Sequence, residues 1–154
     1  MQPGSSGPEV APVTAVTRFR VTTTATGRRR TVLVCVYDDV EDMRRVATAT
    51  DGQDHSRADG TCHLLGGWSW PHPDHVPLVI RLHREAMYTE VIAHESTHAA
   101  VELVFADCLR GWDARARTYL RPSFEPIAYA VGEITARIVS RGFALGLITP
   151  SRRA

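Results

Sequence analysis

His94-Glu95-Ser96-Thr97-His98 combines residue types and a spacing that can do chemistry. On a helix, positions four apart lie one above the other, so the two imidazoles share a face and can grip one divalent metal. Zinc held that way lowers the pKa of a bound water to about 7, and the glutamate between the histidines is placed to take its proton. The chain has 7 histidines, and a shuffled chain of its composition shows the pattern only about 0.016 times, so the pentad is read as a site. Two plainer readings compete with it. One is an amphipathic helix whose histidines only hydrogen-bond in the core; the other is a metal site without activity.

A catalytic zinc takes three protein ligands and leaves one position open. Position 104 is valine where a third histidine would stand in the longer H-E-x-x-H-x-x-G-x-x-H pattern, and position 101 is valine in place of glycine, which excludes that layout. The acidic candidates are Glu102, Asp107, Glu125 and Glu133. Glu102 and Asp107 lie on the pentad's own helix, so Glu125, opening the next helix, is the preferred third ligand and Glu133 the reserve. Ala128, Gly132 and Ala136 form a stripe of small residues that is expected to pack closely on Ala99 and Ala100 and so deliver Glu125. Glu125 also has a plain reading, as an N-terminal carboxylate that complements the helix dipole.

The positioning elements follow from periodicity. Residues 1 to about 15 read as a flexible tail, and 16–154 as one domain. Arg18–Thr24 and Thr31–Tyr37 read as a β-hairpin, with Arg28, Arg29 and Arg30 in a solvated turn. Val40–Ala49 has helical spacing behind Asp38 and Asp39. Asp51–Gly60 reads as a loop, Thr61–Leu65 as a short strand, and Gly66–Asp74 as an irregular connection holding Trp68 and Trp70. Val76–Leu82 is a strand, placed at a sheet edge because Pro77 cannot donate to a ladder. The pentad helix is expected over Ala86–Leu109, capped at Gly111, and a second helix from Ser123, as N-cap, to Arg141-Gly142. Phe143–Ile148 should pack back on the core. Strands followed by helices give an α+β class with a small mixed or antiparallel sheet.

Composition narrows the partners. The chain has 154 residues, 44% of them hydrophobic, and a formal net charge of +1, which offers no global case for nucleic acid or membrane. Cys35, Cys62 and Cys108 are too few and too scattered for a disulfide framework, and Cys35 reads as a buried small hydrophobe. Cys62, His63, His72 and His75 match no familiar zinc-finger spacing and are expected on the surface or in loops. No basic-then-apolar leader stands at the N-terminus, so a cytoplasmic location is expected.

The H-E-x-x-H helix, followed by a helix with Glu125 and Ala128, resembles the short gluzincin-type metallopeptidases, in particular the ImmA/IrrE type of minimal zincin domain; phage-encoded proteins of similar size also carry such motifs. The resemblance covers about Val76 to Ile138. It implies a zincin-like fold, a Zn2+ cofactor at His94, His98 and Glu125, and hydrolysis of peptide bonds in a protein or peptide substrate. Glu95 is then the general base. Tyr129, one turn after Glu125, and Arg81 or His83 near the end of the edge strand are candidate oxyanion donors, although Tyr129 also reads as a packed core residue. The presumed edge strand would accept an extended peptide. The alternative is a zincin-like binding or assembly module, with structural metal or none.

Overall fold

β-Branched alternation over the first half of the chain produces the expected hairpin. Val16–Thr23 (β1) and Arg30–Tyr37 (β2) pair antiparallel, from Val16 opposite Tyr37 to Thr23 opposite Arg30. Gly27 turns the chain at φ 81°, a conformation that glycine adopts without a Cβ penalty. The computed structural model describes residues 15–65, 78–108 and 116–149, and the side chains of 108–125 fall outside that description. The expected N-terminal tail, both tryptophans named above, His72, His75 and Gly111 therefore lie outside the described residues.

Helix α1, Val40–Asp51, starts where the Asp39 carboxylate accepts the Glu41 N–H at 2.7 Å and stops where Gly52 takes φ 73°. Gly60–Leu64 (β3) and Leu78–His83 (β4) complete a four-stranded sheet in the order β1-β2-β4-β3. β2 and β4 run parallel, and β3 is antiparallel to β4. The placement of the Val76–Leu82 strand at an edge is thus corrected: β4 lies between β2 and β3 with every residue buried. Pro77 lies outside the described residues, and from Leu78 onward β4 pairs with β2 on one side and β3 on the other. Among the described residues the edge strands are β1 and β3.

A single 3-10 turn, Arg84–Ala86, leads from β4 into helix α2, Thr89–Cys108, and helix α3 spans Ala116–Ala144. Strand alternation assigns the two faces. Phe19, Val21, Val34, Val36, Ile80 and Leu82 point to α2 and α3 and bury Ile92, Ala99, Leu103, Ile134 and Ile138. Cys35, Tyr37 and Val79 point the other way, onto Met43 of α1. The molecule is a small α+β fold with helices on both faces of a mixed sheet. None of the described helices is long and apolar enough to cross a membrane.

Helix α3 departs from expectation in three ways. It begins before Ser123, so Ser123 is not its N-cap and Glu125 does not open it. Its packed stripe is Ala130, Ile134 and Ile138, whereas Ala128, Gly132 and Ala136 are exposed. Both stripes recur every four residues; the branched one buries more apolar area and takes the core. The C-terminus is also longer than expected: Gly146 takes φ 67°, and the Leu147 and Ile148 N–H groups bond Gly142 O at 2.9 and 3.2 Å. The return of Phe143–Ile148 to the core is carried by buried Leu147, while Phe143 stays exposed. Ile148 packs on Gly142, which also faces Met87, so the end of α3 lies beside the start of α2.

Candidate metal centre

The buried face of α2 is Ile92, Ser96, Ala99, Ala100, Leu103 and Val104, a helical stripe that fixes the rotation of the pentad. His94 and His98 therefore fall on the exposed side of the helix. Their Nε2 atoms converge to 3.2 Å, with the rings 4.8 Å apart and inclined at 74°. A tetrahedral zinc with Zn–N bonds of 2.0–2.1 Å sets two ligand nitrogens about 3.3 Å apart. The pair fits that ion. A mutual hydrogen bond also satisfies the distance, but at an exposed position water competes for it and little is gained.

Glu95 sits on the flank between the two faces and is 5% exposed. Burial pushes its carboxyl up to about 7, because removal from water disfavours the charged form. Its stem lies against Gly60 at the start of β3, where an added Cβ would meet Glu95 Cγ at 2.9 Å, Leu82 Cδ2 at 3.0 Å and Val91 Cγ1 at 3.1 Å. Only glycine lets edge strand and helix approach this closely. Gly60→Ala is expected to lose about 1–3 kcal/mol in urea unfolding, the usual scale of overpacking; an unchanged midpoint would show that the Glu95 stem yields freely.

Between these elements opens a cleft of about 460 Å³. Ala58, Asp59 and Gly60 form one wall, and Glu90, Val91, His94 and Glu95 the other. Cys62 faces the same helix from β3; burial first, and then the charges of Glu95 and Glu102, raise its thiol pKa and keep it protonated.

The remaining candidates are distributed elsewhere. Among the described residues no third histidine, cysteine, aspartate or glutamate joins His94 and His98 in a metal-sized group. Glu133 is engaged at the end of β1, accepting from Thr23 Oγ1 at 2.7 Å and Thr24 N–H at 3.2 Å. Asp107 accepts from Thr26 and from Arg30, so Arg30 is not the solvated turn residue expected. Glu125 lies well inside α3, and its side chain is outside the described residues. Tyr129 is 66% exposed, which corrects its reading as a packed core residue. Arg81 and His83 alternate with the core-facing residues of β4 and project to the α1 side of the sheet, away from the pentad; the oxyanion role considered for them is withdrawn.

A second group, Asp51, His55 and His63, does bring ligand atoms within 4.8 Å of one another. His63 is buried on β3 and Cys62 half-buried, so neither is the surface residue expected from sequence. Asp51 lies 3.0 Å from His55 Nε2 and 3.1 Å from His63 Nε2. The buried Arg81 guanidinium donates to His63 Nδ1 at 2.8 Å. An arginine can only donate, so the single proton of neutral His63 sits on Nε2 and points at Asp51. Burial, followed by the Arg81 charge, lowers the His63 pKa and favours that neutral form. The nitrogen a metal would need is already a donor, and the group reads as a hydrogen-bonded tie between α1 and the sheet.

Sequence reasoning missed Gly60, Asp59 and Glu90. Glu90 stands four residues before His94 on the same helix and was legible from that spacing, whereas only the approach of β3 to α2 makes Gly60 and Asp59 neighbours of the pentad. Comparison of the chain with family models, with curated proteins and with solved structures gave no match.

Proposed function

We propose that this protein is a zinc-dependent hydrolase of peptide bonds, with His94, His98 and Glu125 as ligands and Glu95 as general base. The observation that carries the reading is the convergence of two imidazole nitrogens to 3.2 Å beside a buried glutamate on the same helix. Glu125 is supported by elimination. It lies on the helix packed against α2, while Asp107 and Glu133 are committed to other partners.

His94, His98 and Glu125 would hold the zinc ion, which when bound would supply Lewis-acid chemistry toward a substrate carbonyl and a water. Glu95 would take a proton from the attacking water and return it to the leaving amine. The raised pKa suits both halves of the task, because a group poised near 7 gives up a proton as readily as it takes one. Tyr129, exposed on the same helix as Glu125, is retained as the candidate oxyanion donor. Edge strand β3, whose first residue touches Glu95, replaces β4 as the strand on which an extended peptide would lie.

The test is metal content. Purified protein should take up one zinc per chain, and His98→Ala and Glu125→Ala should each weaken zinc affinity by at least about 100-fold. Glu133→Ala should leave it unchanged. A chain that takes up no zinc, with a melting temperature indifferent to chelator, would overturn the reading.

A further inference from the structure

We propose that the cleft beside Glu95 receives the cationic side chain of an arginine or lysine in the substrate, next to the bond that is cut. This rests on the hydrolase reading above and adds a substrate class to it. The cleft is amphipathic in the way such a side chain requires. Ala58, Val91 and the bare Cα of Gly60 offer apolar surface, and Asp59 and Glu90 place carboxylates on the rim. Arginine and lysine bury an aliphatic stem and keep a charged head at the edge of water, and carboxylates are the partners such heads select.

The carboxylates of this cleft are only loosely paired. Among the described residues no arginine lines it. Glu90 makes no hydrogen bond or ion pair among the described residues. Asp59 is ion-paired with Arg44 Nη2 at 3.9 Å, longer than a hydrogen bond, and lies 3.8 Å from His83 Nε2. Arg44 already donates to Glu41 Oε1 at 2.8 Å and to Ala58 O at 3.0 Å. The independent observation is Glu95 itself: a carboxyl 5% exposed that opens on the same cleft with no hydrogen-bond partner among the described residues. Two carboxyls, Glu90 and Glu95, without a hydrogen-bond partner among the described residues, and a third, Asp59, held only at ion-pair distance, favour a positively charged occupant. A free α-amino group carries the same charge but no stem to fill the apolar part, so a side chain is the better fit.

The test uses zinc-loaded protein and internally quenched peptides that are identical except for one position, moved stepwise across the scissile bond. That position holds arginine, lysine, citrulline or norleucine, and each peptide is made with a free and an acetylated N-terminus. Arginine and lysine should raise kcat/KM at one subsite by about tenfold or more over citrulline, as expected for a hydrogen bond to a charged group, with acetylation making no difference. In the Asp59→Asn, Glu90→Gln double variant, loaded with zinc to the same stoichiometry, the arginine-to-citrulline ratio should fall to within about twofold. A ratio that survives the double substitution overturns the inference, as does a preference that disappears on acetylation, which would assign the cleft to an α-amino group. If the wild-type protein cleaves none of the peptides, the hydrolase reading fails separately. Fluorescence polarisation of the arginine and citrulline peptides on zinc-loaded Glu95→Gln then decides the cleft. Tighter arginine binding that is lost on adding Glu90→Gln sustains the inference, and equal affinities end it.

Discussion

Glu95→Gln should keep zinc at wild-type stoichiometry and lower hydrolysis by about 10²–10⁴-fold, the usual contribution of a positioned general base. The substitution preserves shape and removes only the ability to take a proton, while the ligand nitrogens of His94 and His98 are untouched. The same change has a second signature, measurable without metal or substrate. Burial raises the Glu95 pKa from 4.5 to about 7 in the folded chain. A group raised in this way contributes stability that is full below its unfolded pKa and is lost as pH rises through its folded pKa. Zinc-free wild-type protein should therefore weaken between about pH 4.5 and pH 7, by on the order of 3 kcal/mol, and Glu95→Gln should not. Urea unfolding of both zinc-free proteins at pH 4.5 and pH 8 reads this directly. Hydrolysis undiminished in Glu95→Gln would remove Glu95 from the mechanism; parallel pH dependences would mean that its burial costs nothing.

Asp107→Ala should cost about 3–5 kcal/mol of stability, the scale for removing one partner of a buried ion pair. Asp107 has a side chain 1% exposed and Arg30 one 13% exposed, and the carboxylate also accepts from Thr26. It ties the C-terminal end of α2 to the hairpin turn and the first residue of β2, and so anchors the helix that carries the pentad. Burial alone would raise the Asp107 pKa. The hydrogen bonds from Arg30 and Thr26, with the charges of Arg30 and Arg28, outweigh that effect and lower it. A lowered carboxyl contributes stability that is present above its unfolded pKa of about 3.9 and is lost as pH falls through the folded value. Acid unfolding of Asp107→Asn should accordingly be flatter below pH 4 than that of the wild type. Equal urea midpoints for wild type and Asp107→Ala at pH 7 would show that the pair only marks an approach of α2 to the hairpin.

The local elements were legible because each rests on short-range rules. Alternation set the hairpin and β3 to within two residues, and the acidic start at Asp38 and Asp39 marked the beginning of α1, which runs two residues past the expected end at Ala49, to Asp51. The pentad helix was legible for the same reason: with the Ile92–Ala99–Leu103 stripe inward, His94 and His98 had to face out together. The sequence thereby determined the chemistry available, two imidazoles and a carboxyl within one helical turn and a half.

What only the tertiary structure decided depends on which distant segments become neighbours. Alternation says that a strand has two faces and is silent on which strands flank it, so Pro77 suggested an edge while pairing with both β2 and β3 placed β4 inside. Two stripes on α3 had the same period, and the larger area of Ile134 and Ile138 settled which one was buried. Glu133 and Asp107 looked free to ligate in sequence, yet each found hydrogen-bond donors on the hairpin, more than 70 positions away in both cases. The cleft arose because Gly60 has no Cβ, which lets the edge strand close on Glu95 and withdraw its carboxyl from water. Spacing along one helix fixes which groups can act together; contact between elements fixes their pKa values, their partners and the room left beside them.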